Sequence, residues 1–251
     1  MDLQPDDDLE EEGLSDALVR IVQDDSKIEQ LRKELGSFSH RCRNVLGGMK
    51  MSLYLMKRSA TGSLPGWWDE IERNYQGIER LIDELQTIYR PMSLTPIRAP
   101  FGTLVRNREP SWREWFASRK GRLEIVPPAK ESVCQFDPMC LRMGCDAFLR
   151  WRASMLPPGQ TGRFSWQTDG EQLHACWQER PSGPLPHEDT KRSPARECTR
   201  PSSGNQMLAL PLLARVIKAH GGVIQWTRSP AFQVEFGWPL EQPADVLQTV
   251  P

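Results

Sequence analysis

The stretch SFSHRCRNVLGGM, residues 37–49, sets one histidine, His40, among helix-forming and apolar residues. Working outward, Ile28, Leu31, Leu35, Phe38, Cys42, Val45, Met49 and Met56 fall at alternating steps of three and four, interrupted only by Ser52. Spacing of about 3.5 residues predicts a long helix packed lengthwise against other helices. It starts near Leu14 and ends at the Gly-, Ser- and Pro-containing linker SATGSLPG, residues 59–66. A second helix follows in WWDEIERNYQGIERLIDELQTIYRP, residues 67–91. Trp68, Ile71, Tyr75, Ile78, Ile82, Leu85 and Tyr89 keep the same spacing, and Pro91 stops it. Two long helices on a short loop make an antiparallel hairpin. One hairpin leaves an apolar seam uncovered, so a dimeric four-helix bundle is expected. With Phe38 and Cys42 on the seam, His40 is placed opposite it, facing solvent.

Past residue 92 the pattern changes. RLEIV, RFSWQT, LHACWQ, GVIQW and AFQVEFGW read as short strands with partial alternation. Helical segments are predicted at Phe101 to Ser118, Pro138 to Met155 and Met207 to Ala219. Residues 180–206, rich in Pro, Ser and Arg, read as a long flexible loop. The fold class is therefore α+β: a helical hairpin, then an α/β sandwich with helices on one face of one sheet.

Composition narrows the function classes. A chain of 251 residues with net charge −1 carries no electrostatic footprint for nucleic acid or an anionic membrane. No apolar run approaches the roughly 18 residues of a membrane span, and no basic start leads into an apolar stretch, so a cytoplasmic location is expected. Cys42, Cys134, Cys140, Cys145, Cys176 and Cys198 form no CxxC pair and have no His at zinc spacing, which reads as reduced, incidental thiols and no metal site. Residues 1–13, with seven acids and no base, read as a disordered, self-repelling tail.

This order of elements, and several of its words, resembles the dimerisation and catalytic core of bacterial sensor histidine kinases over about residues 25–240. Phe38, Ser39, His40, Arg43, Asn44 and Leu46 match the segment around the family's phosphoacceptor histidine. DEIERNYQGIERLIDELQTIYRP is similar to its second hairpin helix. FDPMCLRMGCDAFLR resembles the segment leading to its nucleotide-binding Asn, and LARVIKAHGGVIQW the helix and strand after its last glycine motif. The resemblance implies a dimerisation and phosphoacceptor domain over 14–92, an ATPase-like domain over 93–240 and a tail over 241–251. No sensor, transmembrane or receiver segment is read in these residues, and the core is expected to stand alone.

The departures from the family pattern carry the functional reading. The family ATP site uses a helix Asn that ligates Mg²⁺, a D-x-G-x-G turn that reads adenine, and a G-x-G-x-G cluster at the phosphates. Here the Asn position is Trp151, and the acid four residues earlier is Ala147. The adenine turn aligns with Arg180, Ser182 and Pro184, and the last glycine cluster with Asn205, Met207 and Ala209. An indole is no metal ligand, a guanidinium cannot accept the adenine amine proton, and proline removes a backbone donor. No cofactor is expected. A divergent ATP site using Asp137, Asp146 or Glu179 is the competing reading.

The resemblance makes His40 a phosphoacceptor candidate. Asn44, at i+4, and Arg43, at i+3, share its face and are its candidate supports. The residue after the histidine is Arg41, where family kinases carry the acid that accepts the ring proton. Arginine cannot be that base, although it can help to hold an added phosphate. Two functions stay open: a histidine phosphotransfer protein exchanging phosphoryl groups with response-regulator receiver domains, or a pseudokinase scaffold or inhibitor binding a receiver or a true kinase. An ATP-dependent kinase is third. His174, His187 and His220 read as structural or surface residues. Lys191, Arg192, Arg196 and Arg200 read as a solvated loop or, alternatively, as a contact to an acidic receiver.

Overall fold

The computed structural model describes residues 7–59, 65–180, 208–228 and 231–241. The expected loop after Arg180 and the tail after Glu241 lie outside them.

The described residues fall into two compact units. The first holds three helices, α1 (Asp7–Gln23), α2 (Asp25–Ser59) and α3 (Trp68–Tyr89). The acidic run from Asp7 onward is helical rather than the disordered tail expected. Leu and Glu are good helix formers. The helix expected from Leu14 through Ser59 breaks once, at Asp24. The Asp24 carboxylate accepts hydrogen bonds from the backbone N–H groups of Ser26 and Lys27 at the start of α2. Its pKa is held well below the ordinary carboxylate value by hydrogen bonds from the Ser26 hydroxyl, the Lys27 ammonium and the Lys27 N–H.

α2 and α3 pack antiparallel, tied by Arg43–Asp83 at 2.6 Å, Lys50–Glu79 at 3.1 Å and Lys57–Glu72 at 3.2 Å. The inner seam runs through Leu35, Ser39, Cys42, Leu46 and Leu53. It is rotated from the seam expected: Phe38 is 51% exposed and Val45 64%, and Met49 and Met56 also face outward. Ser39 takes the inner position because Tyr89 Oη donates to its Oγ at 2.8 Å. A small polar residue therefore occupies a place that a purely apolar template overlooks.

The second unit is a mixed five-stranded sheet, order β2-β4-β5-β7-β6, with a separate β1-β3 pair. The ranges are β1 Ile97–Pro100, β2 Arg122–Val126, β3 Val133–Phe136, β4 Thr161–Asp169, β5 Gln172–Arg180, β6 Val223–Thr227 and β7 Gln233–Pro239. β2 and β4 are parallel and the other pairs antiparallel. The helices are α4 (Phe101–Ser118), α5 (Pro138–Met155) and α6 (Ala209–Ala219). Alternation along β4, β5 and β7 buries Phe164, Trp166, Ala175, Trp177, Val234 and Phe236 on one face. Phe101 sits edge-on to Phe136, Phe164, Trp166 and Trp238, so aromatic rings fill much of this core. Gly162 has no Cβ because the Trp177 ring lies where one would be.

Candidate functional site

Three features of α2 position His40. The helix runs unbroken from Asp25 to Ser59, Ser39 is anchored inward, and the next residue is carried round by about 100°. His40 is exposed, and its Nδ1 lies 3.4 Å from Asn44 Nδ2. As placed, the Asn44 amide donates to Nδ1; turned over, it would accept from a protonated Nδ1. His40 and Asn44 thus come together as expected. Arg43 is turned away: its guanidinium reaches Asp83 on α3. Arg41 is exposed.

In the second unit, Trp151 is only 6% exposed. It is edge-on to Phe232 at 5.6 Å and to Phe148 at 6.0 Å between ring centroids. The Arg152 guanidinium lies over both Trp151 and Phe232, at 4.5 and 4.1 Å. Arg152 then forks onto Glu179, Nε to Oε1 at 2.6 Å and Nη2 to Oε2 at 3.0 Å, and Trp177 Nε1 donates to the same carboxylate at 3.1 Å. This buried pair was not read from the sequence, although a signal existed. Leu141, Cys145, Phe148 and Arg152 share one helical stripe, and an arginine on a buried stripe needs an acid.

The other acids considered for a divergent nucleotide site are also engaged. Asp146 accepts from Arg108 at 3.1 and 2.8 Å and from Trp112 Nε1 at 2.7 Å. Asp137 caps α5 by accepting from the N–H groups of Met139 and Cys140, and it also accepts from Thr95 N. Burial pushes the Asp137 carboxyl up, but those three backbone donors outweigh it and hold its pKa below the ordinary value. Ala147 is half-buried on α5, Arg180 is exposed at the end of β5, and Ala209 opens α6. Ser182, Pro184, Asn205 and Met207 lie outside the described residues.

His220 lies directly after α6, as expected, and is wholly buried. Its Nδ1–H donates to Val216 O at 2.7 Å, and its Nε2 accepts from Asp137 N at 3.0 Å. Burial pushes its pKa below 6.5. Gly221, at φ +70°, makes the turn that follows.

No protein-family model and no curated protein matches this sequence. Solved structures do match. The histidine kinase AdeS of Acinetobacter baumannii is similar with TM-score 0.54 and 12% identity, over 80% of this chain and 98% of that one. Full-length ShkA, solved in complex with AMPPNP, is similar with TM-score 0.59 and 13% identity, over 86% of this chain. The chain spans 47% of ShkA, about half its length. Among the described residues, no helix is long and apolar enough to cross a membrane. Hairpin, sheet and neighbours agree on one architecture: the chain has the fold of a sensor histidine kinase core.

Proposed function

We propose that this chain is a two-component phosphorelay protein that passes phosphoryl groups through His40 without using ATP. One contrast carries the reading: the hairpin exposes an imidazole, while the second unit buries Trp151 at the position where the family ligates magnesium. The donor is the aspartyl phosphate of a receiver domain. His40 Nε2 attacks phosphorus, the P–O bond to the aspartyl carboxylate breaks, and the carboxylate leaves with the electron pair. Reversal on a second receiver returns the imidazole. Asn44 orients the ring during both steps.

The hairpin supports the assembly. Phe38, Val45, Met49 and Met56 form an outward apolar stripe, with Ile71 and Ile78 exposed on α3. A second copy covering that stripe gives a four-helix bundle with two His40 sites. The domains follow as 14–92 for dimerisation and phosphoacceptance and 93–240 for an ATPase-like unit that serves as a docking surface.

Arg41 favours a second reading, a pseudokinase scaffold, because it replaces the acid that assists attack on ATP. Incubating the protein with a phosphorylated receiver separates the two. Phosphotransfer predicts label on the wild type and none on His40→Ala, whereas a scaffold leaves both unlabelled. Saturable Mg²⁺-ATP binding at millimolar concentrations would overturn the ATP-independent reading.

A further inference from the structure

The sheet has a second face, on the side away from Trp166 and Trp177. There the segment Pro127–Ser132, which leaves β2, overhangs β4 and β5 and forms a cavity of about 810 Å³. That size is within the range of small-molecule sites, roughly 300–1,000 Å³. Its wall follows the alternation of the strands: Ser165 stands opposite Cys176, which stands opposite Glu235.

Pairing with an acid is common among the arginines of this unit. Arg98, Arg106, Arg108, Arg113, Arg142 and Arg152 each reach a carboxylate. Arg163 lines the cavity, is half-buried, and makes no hydrogen bond or ion pair among the described residues. Lys130 and His174 line the same cavity and likewise have no such partner there. The hydroxyls of Ser132 and Thr168 hydrogen-bond each other at 3.0 Å, which leaves one of their two protons to donate elsewhere. The single acid in the lining, Glu235, is exposed and accepts from Gln233 Nε2 at 2.6 Å. A half-buried guanidinium facing a concave, hydroxyl-lined space is a built receptor for an oxyanion, because its planar fork matches two oxygens at once.

We infer that the open sheet face binds a small metabolite, with a phosphate or carboxylate held by Arg163 and Lys130 and a hydroxyl or amine directed to Glu235. The site shares no residue with the His40–Asn44 pair or with the Trp151 cluster, and it does not depend on the phosphotransfer reading.

Cys176, half-buried in the wall, provides the readout. Burial and the nearby Glu235 raise its pKa while Arg163 lowers it, so alkylation is best followed at mildly alkaline pH. The full chain is treated with iodoacetamide and each cysteine is followed by peptide mass spectrometry, with Cys42 as the internal reference. Inorganic phosphate and succinate are the two probes. The inference expects one of them to slow Cys176 alkylation saturably, about fivefold at four times its Kd, and to leave Cys42 unchanged. Whichever probe protects identifies the oxyanion class. Arg163→Gln should abolish protection, as should Ser165→Glu, which keeps the guanidinium but adds a repelling carboxylate. Thermal melting checks that each variant is folded. Protection that never saturates, is matched by chloride, or survives in both folded variants marks an adventitious ion only and overturns the inference. Absence of protection by either probe overturns it as well.

Discussion

Arg152 and Glu179 are joined by two hydrogen bonds, 2.6 and 3.0 Å long, with side chains only 7% and 11% exposed. The pair ties α5 to β5, and the Trp177 indole shares the same carboxylate. Removing one partner strands a buried charge, which typically costs about 3–5 kcal/mol. Glu179→Ala should therefore lower the unfolding free energy by about that amount in urea titrations. Arg152→Met combined with Glu179→Leu should recover much of the loss, because no charge is left unpaired. A double variant as unstable as the single one would show that the pair does more than neutralise itself.

Trp151 gives a second test. Its indole is held by Phe148, Phe232 and the Arg152 guanidinium. Trp151→Asn removes those contacts and inserts an amide among rings, so destabilisation of about 3–5 kcal/mol is expected. The variant should still bind no Mg²⁺-ATP by calorimetry. Measurable affinity would mean that one side chain alone had closed the site.

Acid sensitivity follows from His220. Its folded-state pKa is depressed by burial, with the Val216 and Asp137 contacts opposing that effect only in part. The unfolded chain therefore binds the proton first, near pH 6.5, and stability is lost as pH falls below that value. Protonation at Nε2 would place a proton against the Asp137 N–H it now accepts from, at the start of α5. Urea midpoints at pH 7.5 and 5.5 should differ more for the wild type than for His220→Gln. The Asp137 carboxyl, depressed below 3.8, contributes stability that is lost only in stronger acid.

On the hairpin, Arg43→Ala breaks an exposed ion pair and should change stability by less than about 1 kcal/mol. Its effect on phosphotransfer can thus be read without interference from unfolding. Asn44→Ala should slow transfer to His40 by roughly 10-fold or more by loosening the ring, while Asn44→Asp, which accepts the Nδ1 proton, should retain most of the rate. Equal loss in both variants would assign Asn44 another role.

Val45→Glu should convert the proposed dimer to monomer by sedimentation velocity, since that side chain is 64% exposed on the outward apolar stripe. Ser39→Ala should instead leave assembly intact and cost about 1 kcal/mol, the worth of the Tyr89 hydrogen bond.

Much of the fold was legible from periodicity. α3, α4, α5 and the five strands of the main sheet lie close to where apolar spacing and turn residues put them. β1 and β3 were missed because each is four residues long and together they form their own small sheet, leaving too few positions for alternation to register. The hairpin seam was misplaced because a 3.5-residue repeat fixes a set of candidate stripes without saying which faces the partner helix. Ser39, polar and buried, settles it. His40 and Asn44 were visible as neighbours on one helix face. The cavity cations were not, because alternating polar residues on a strand look the same whether they face bulk solvent or line a hollow.

Position 151 also bears on how this chain can change. Once an indole is wedged between two phenyl rings and braced by a guanidinium, placing an amide there means crossing a variant that folds poorly. Neighbouring changes would have to come first, so the present side chain acts as a ratchet, and the exposed face of the hairpin is freer to vary than the packing around this indole.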